Sequence, residues 1–454
     1  MPFDGEFASY KPLARILNNP KVKDVISRCR KRIETSSNSM SAALVHSTVK
    51  PSNYLPNLVL AVDGGYHQVP VENGYPSAEV ACLTTAAVLV DLRKQRELDL
   101  KRPVNPKYFR ETQGTTSIDC VLPGCNMVLD EDTPKGSFRR CFYETTGTAS
   151  IFDGGETLLQ TYESLLKLKP TSKSQECPLG KDCGNCDTFG DPACIQPPLG
   201  ISKCPCGSQS SIFSTDALRI HEGLNPNGSS GAMFAEAMQV WERLWAINFL
   251  RGLESAGLLG SHYPLAIILD GPLAVFGHPA WLSQAIHHEL VRLNRIAKKS
   301  GHDLLIIGIE KSGAFADHFE MLDRPRNRSS VSAIKPQTAL LVTEQYIREH
   351  IVISEGKSYG KDTYFGRKVF YKTKSSARIV ATLPFFSETD RDLSQAEISQ
   401  FPRLSDAMSL LDAVFCVRYP NSIGPLVAAH AEAAIPLNIG KRAFEQLTAH
   451  LTKT

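Results

Sequence analysis

Two aspartates stand where hydrophobic runs break off: Asp63 closes LVLAVD, Asp270 closes AIILD, and each is followed by glycine. Carboxylates converging from the ends of apolar strands are what hard divalent cations such as Mg²⁺ and Mn²⁺ require, because these ions take oxygen ligands. Two such ions, about 3.5–4 Å apart, can activate a water and neutralise the charge building on a scissile phosphate. The following glycines let the chain turn sharply and leave room beside each carboxylate for a bulky polyanion. A single Asp-Gly is an ordinary β-turn signal. Two of them, each on an otherwise apolar strand, point to the metal-binding floor of a phosphodiester-hydrolysing site.

A third carboxylate is expected from the segment GAMFAEAMQVWERLWAINFLRGLESAG, where Met233, Phe234, Met238, Trp241, Leu244, Trp245 and Phe249 recur at helical spacing. Both Glu236 and Glu242 lie close to that apolar face. At 1.5 Å per residue, Glu242 is about 20 Å from a helix end near Ala256, and the strand to Asp270 climbs back a comparable ~17 Å. Glu236, at roughly 30 Å, overshoots. The spacing favours Glu242, with a solvent-facing helix glutamate as the plainer alternative.

A second cluster of chemistry-bearing side chains is Cys177, Cys183, Cys186, Cys194, Cys204 and Cys206, in a stretch rich in Pro, Gly and Ser. CGNC followed by CPCG suggests two knuckles of a tetrahedral zinc site, with Cys183, Cys186, Cys204 and Cys206 as the first choice of ligands. Cys-x-Cys is shorter than the usual gap, so Cys177 or Cys194 is an alternate; an iron–sulfur cluster and unligated thiols are the other readings. A segment with so few large apolar residues needs a metal to hold a fold.

These residues must be positioned by the rest of a 454-residue chain, 42% hydrophobic and 21% charged, which has ample material for a core but is too long for one ordinary domain. The rhythm of strand, long helix, strand, helix, strand predicts an α/β sheet covered by helices. The expected units are an N-terminal helical segment over 1–53, a first part of the core over 54–169, the cysteine insertion over 170–212, a second part of the core over 213–320, and a basic and C-terminal part over 321–454. Within these, Leu58–Val62 reads as a buried strand entering a tight turn at Asp63-Gly64-Gly65, and Ala78–Leu92 as one strand or a strand followed by a helical turn. Residues 101–153 read as mixed and turn-rich, and 154–168 as a helix. Further on, Leu304–Ile309 reads as a strand, Ala413–Val417 as a strand, and Ile423–Ala434 as a helix.

No apolar run suits a secretory signal or a membrane span, so a cytoplasmic protein with reduced cysteines is expected. The net charge of +3 is small, but residues 321–378 hold twelve Lys or Arg against five Asp or Glu. Such a local field attracts phosphate, although solvated loops give the same composition.

AVDGG, the helix bearing Glu242, LDGPL, IIGIEKSG and the late RYP…AH follow one another in an order that resembles the NurA nucleases, which act with HerA-type hexameric ATPases. The resemblance covers most of the chain outside the cysteine insertion, through motifs that are individually short. It implies an RNase H-like mixed sheet flanked by helices, a Mn²⁺-dependent (or Mg²⁺-dependent) site, DNA cleavage and a homodimer. By position, Asp63, Asp270 and Glu242 correspond to metal-binding carboxylates, and Tyr419 and His430 to a late tyrosine and histidine. His430 is suited to bind metal or move a proton, Tyr419 to orient a phosphate or stack on a base, and Lys311 to neutralise a phosphate oxygen. The implied roles are DNA-end processing or defence against phage. Two other classes fit the residues less well: a non-catalytic DNA clamp or adaptor of the same fold, and a zinc-dependent DNA-binding regulator, for which no recognition helix lies near the cysteines.

Overall fold

The computed structural model describes residues 10–29, 44–48, 50, 52–71, 78–98, 111–130, 132–169, 199–204, 210–259, 264–324, 332–352, 359–416 and 422–434. Elements are numbered within these residues. Contacts divide the chain into residues 1–43 and 44–454. In the first unit, two short helices, α1 (Lys11–Asn18) and α2 (Pro20–Arg28), have proline in their first turns; Asn19 caps α2 by accepting the Lys21 N–H.

The second unit is built on a nine-stranded mixed sheet. Its strands are β1 (Val45–Thr48), β2 (Leu58–Pro70), β3 (Glu79–Asp91), β4 (Gln113–Pro123), β7 (Leu265–Asp270), β8 (Ile306–Glu310), β9 (Thr338–Leu341), β10 (Gly366–Lys372) and β11 (Arg378–Pro384), in the order β1-β9-β10-β11-β8-β7-β2-β3-β4. A small hairpin of β5 (Ile201–Lys203) and β6 (Ser211–Phe213) precedes β7 in the chain. β2, β3 and β4 form an antiparallel meander, and β7 and then β8 add in parallel on the other side of β2. The centre of the sheet is thus three antiparallel strands followed by two parallel ones, a mixed sheet of the kind expected.

Strand alternation separates two cores. Leu60, Val62, Ile267, Leu269 and Ile306 face α4 (Pro134–Thr148), α5 (Leu158–Leu166), α6 (Gly231–Ser255) and α7 (Leu282–Ala297). Val59, Ala61, Ala266, Ile268, Ile307 and Ile309 face α11 (Leu404–Val414) and α12 (Gly424–Ala433). The central helix α6 is long because its apolar run holds no proline, and it stops at Gly257, whose φ of +67° ends the helical turn. Its two tryptophans are wholly buried, and their indole N–H groups are satisfied: Trp241 donates to Thr146 Oγ1 at 2.9 Å and Trp245 to Thr85 Oγ1 at 3.1 Å. These bonds fix α6 against α4 and β3.

Several local expectations need correction. The chain does not turn at Asp63: β2 runs on through Gly64 and Gly65 to Pro70, because β3 supplies a pairing partner along its whole length. What ends near Asp63 is the parallel pairing to β7, last made at Val62 with Leu269. Of the strand expected over Ala413–Val417, Phe415–Cys416 is a two-residue strand, Ala413 and Val414 end helix α11, whose Leu404, Ala407, Met408 and Leu411 form a stripe buried in the core, and Val417 lies outside the described residues. Residues 101–153 hold β4 and α4, whose weak periodicity hid them. Ala78–Leu92 resolves as the strand β3, then helix α3 (Leu92–Glu97), capped by Asp91. No described helix is long and apolar enough to cross a membrane.

Candidate functional site

Asp63 and Asp270 lie at the carboxyl ends of the paired portions of β2 and β7, the end of an open α/β sheet where ligands bind. Residue parity sends both toward the α12 face, the same side as Ala61 and Ile268. Asp63 is 2% exposed; its Oδ1 accepts the Gly64 N–H at 2.8 Å and its Oδ2 stands 3.0 Å from His430 Nδ1 on α12. Asp270 is half-buried, and Lys311 Nζ, just past β8, lies 3.0 Å from its Oδ1. Glu242 reaches the same place from α6 on the opposite side of the sheet.

Gly64 makes that approach possible. A Cβ there would stand 2.8 Å from Glu242 Oε1 and 2.6 Å from Met238 Cγ, while a Cβ on Gly65 would stand 2.8 Å from the Ala433 carbonyl oxygen. These glycines serve close packing of two helices on opposite faces of one strand rather than a turn. Gly271, with φ of +75°, does turn the chain after Asp270.

The electrostatics are those of negative charge crowded into a dry place. Burial, then the charge of Asp270 and hydrogen bonding to it, push the Asp63 carboxyl up to about 6, against the opposing pull of Lys311 and His430. Burial pushes Glu242 up to about 8, with the nearby Asp63 and Asp270 adding to it and Arg243 opposing it. Glu242 is 5% exposed and contacts Arg243 Nη1 at 3.2 Å.

The structure therefore brings together Asp63, Glu242, Asp270, Lys311 and His430. Glu236 goes elsewhere, to a 3.0 Å contact with His278. Tyr419 lies outside the described residues, as do Cys177, Cys183, Cys186, Cys194 and Cys206. Cys204 is buried at the end of β5, its N–H bonded to the Ser210 carbonyl at 2.9 Å across the hairpin. The basic 321–378 segment is less available than its composition suggests. Lys368 and Lys372 are buried in ion pairs with Glu310 and Asp323, and the buried Arg367 donates to the Asp390, Asp392 and Gln395 carbonyls. Arg243, buried against Glu242, was missed in the sequence; a basic residue directly beside a glutamate, between Trp241 and Leu244 on an apolar stretch of helix, was the available signal.

The donor set, three carboxylates and an imidazole, suits a hard divalent cation. As the side chains stand, each carboxylate is engaged by a basic residue, and among the described residues no three His, Cys, Asp or Glu are drawn together tightly enough to hold an ion. A cavity of about 590 Å³ lies at the opposite end of the same strands, walled by Leu58, Leu250, Leu265 and Leu304, away from this chemistry.

Fold and site thus define a mixed α/β protein with an acidic cluster at the carboxyl ends of its parallel strands. No family model and no curated protein matches the chain. Among solved structures, the NurA nuclease from Sulfolobus solfataricus aligns with 98% of this chain and 97% of its own at 10% identity and a TM-score of 0.36. A second NurA crystal structure aligns over 98% of both chains at 10% identity and a TM-score of 0.28. Likeness at this level assigns no activity, which must be argued from the residues themselves.

Proposed function

We propose that the protein is a divalent-metal-dependent nuclease that hydrolyses phosphodiester bonds in DNA. The observation that carries the reading is the convergence of Asp63, Glu242 and Asp270 from three separate elements, with burial and mutual repulsion raising two of them. Such a cluster disfavours its own ionised form and is relieved by a cation. Asp63, Asp270 and Glu242 would hold Mn²⁺ or Mg²⁺, with His430 as a further donor; the ion would supply Lewis acidity toward the phosphate and an acidified water. Lys311, one-third exposed beside Asp270, is placed to pair with a phosphate oxygen. His430, 63% exposed and anchored through Nδ1 to Asp63, presents its other nitrogen for proton transfer.

The motif order adds a HerA-type hexameric ATPase as the partner that feeds DNA to the site, and a homodimer as the assembly. Tyr419 and a zinc held by Cys183, Cys186, Cys204 and Cys206 belong to the same reading. Cleavage assays with Mn²⁺ test it, with and without the ATPase: Asp63→Ala and Asp270→Ala should abolish cleavage while DNA binding persists. Full cleavage by either variant would sink the two-aspartate site. One observation favours a second reading, a non-catalytic DNA clamp: Lys311, Arg243 and His430 already satisfy the carboxylates. Wild-type protein that binds DNA but leaves it intact with Mn²⁺ and with Mg²⁺ would establish the clamp.

A further inference from the structure

The segment that follows Asp270 turns at Gly271 and again where the Ala274 N–H donates to the Pro272 carbonyl at 2.8 Å, and it is held on two sides. On one side Val275 donates to the Thr363 carbonyl and Phe365 to the Leu273 carbonyl, both at 2.9 Å. On the other, the partners are side chains of α6 instead of a strand. Arg243 donates from Nη2 to the Asp270 carbonyl (3.2 Å) and the Pro272 carbonyl (3.1 Å) and from Nε to the Ala274 carbonyl (3.2 Å). Gln239 Oε1 accepts the Phe276 N–H at 2.7 Å, and Glu236 Oε1 accepts the His278 N–H at 3.2 Å.

The match is geometric. Glu236, Gln239 and Arg243 share one face of α6 at i, i+3 and i+7, and between them they meet backbone groups of residues 270, 272, 274, 276 and 278. Arg243 is 3% exposed and has one nitrogen left over; that Nη1 holds Glu242 at 3.2 Å. A planar guanidinium with five donors can address several acceptors in fixed directions, whereas an ammonium on a flexible stem cannot. One side chain is thereby tied both to a carboxylate of the site and to the backbone that carries another.

We propose that Arg243 is a positioning residue that sets the separation of Glu242 from Asp270 and so tunes the site for a divalent cation. The inference rests on the nuclease reading but has its own failure mode. Mn²⁺ binding followed by calorimetry, alongside Mn²⁺-dependent cleavage, compares wild type with Arg243→Lys. The lysine should weaken Mn²⁺ binding at least threefold and lower kcat at least tenfold, with KM for DNA within twofold. Gln239→Ala loosens the same segment farther from the carboxylates and should leave Mn²⁺ affinity and kcat within twofold.

Equal effects of the two substitutions would mean general loosening and overturn the proposal, as would a folded Arg243→Lys with wild-type Mn²⁺ affinity. If Arg243→Lys does not fold, Arg243→Gln carries the test, since its amide offers two donor hydrogens where the guanidinium offers five; unchanged Mn²⁺ affinity in that variant would be equally fatal. Retained cleavage in Asp63→Ala and Asp270→Ala would instead bring down the two-aspartate site, and wild-type protein that leaves DNA intact would bring down the nuclease reading itself.

Discussion

Replacing Glu242 with glutamine isolates the energetic cost of crowding carboxylates at this site. Below pH 4.5 the Glu242 carboxyl is protonated whether the chain is folded or not, so it makes no difference to stability. Between 4.5 and about 8 the unfolded chain releases the proton while the native protein retains it. The unfolded state then binds fewer protons, and native stability falls as pH rises through that window. At ~1.4 kcal/mol per pH unit, the full penalty above pH 8 approaches ~5 kcal/mol.

Glutamine keeps the shape and an acceptor for Arg243 but cannot ionise, so the penalty disappears. For a chain of this length a melting midpoint moves by about 1 °C per kcal/mol. Glu242→Gln should therefore melt close to wild type at pH 5 and about 4–5 °C above it at pH 8.5 without divalent cations. Differential scanning fluorimetry across that range measures the gap. Asp63 destabilises in the same direction between 3.8 and about 6, but it is present in both proteins and largely cancels. A gap that stays constant from pH 5 to 8.5 would refute the reasoning, because nothing else about the substitution titrates.

Lys311→Met should shift the melting midpoint by 1 °C or less, since the pair with Asp270 is partly solvent-exposed and worth at most about 1 kcal/mol, yet cut cleavage at least tenfold; wild-type turnover would remove Lys311 from the site. Gly65→Ala drives a Cβ against the Ala433 carbonyl on α12 and should cost about 1–3 kcal/mol in urea unfolding, with activity falling through displaced His430. Elemental analysis should find about one zinc per chain, lost on changing Cys183 and Cys204 to serine. A zinc-free wild type would end that proposal.

The α/β character, the long α6 and the two aspartates were legible because each depends on local pattern: unbroken apolar strands, helical spacing over twenty-five residues, and Asp-Gly at the end of an apolar run. The continuation of β2 past Gly64 was not, because glycine pairs usually mark turns and the pairing that overrides them comes from a separate strand, β3, with Gly64 opposite Thr85 and Gly65 opposite Thr84. Composition hid the place of two lysines in the basic segment for a related reason. Lys368 and Lys372 look like surface charge until Glu310 and Asp323 are placed beside them.

By itself, then, the sequence determined which strands are buried and which carboxylates break them, since burial of apolar side chains and the cost of burying charge act residue by residue. Only the tertiary structure decided that Gly64 and Gly65 admit helices from opposite faces and that Arg243 ties two carboxyl-bearing elements together. Those outcomes hang on distances of a few ångströms between elements far apart in the chain, and spacing along a sequence does not encode them.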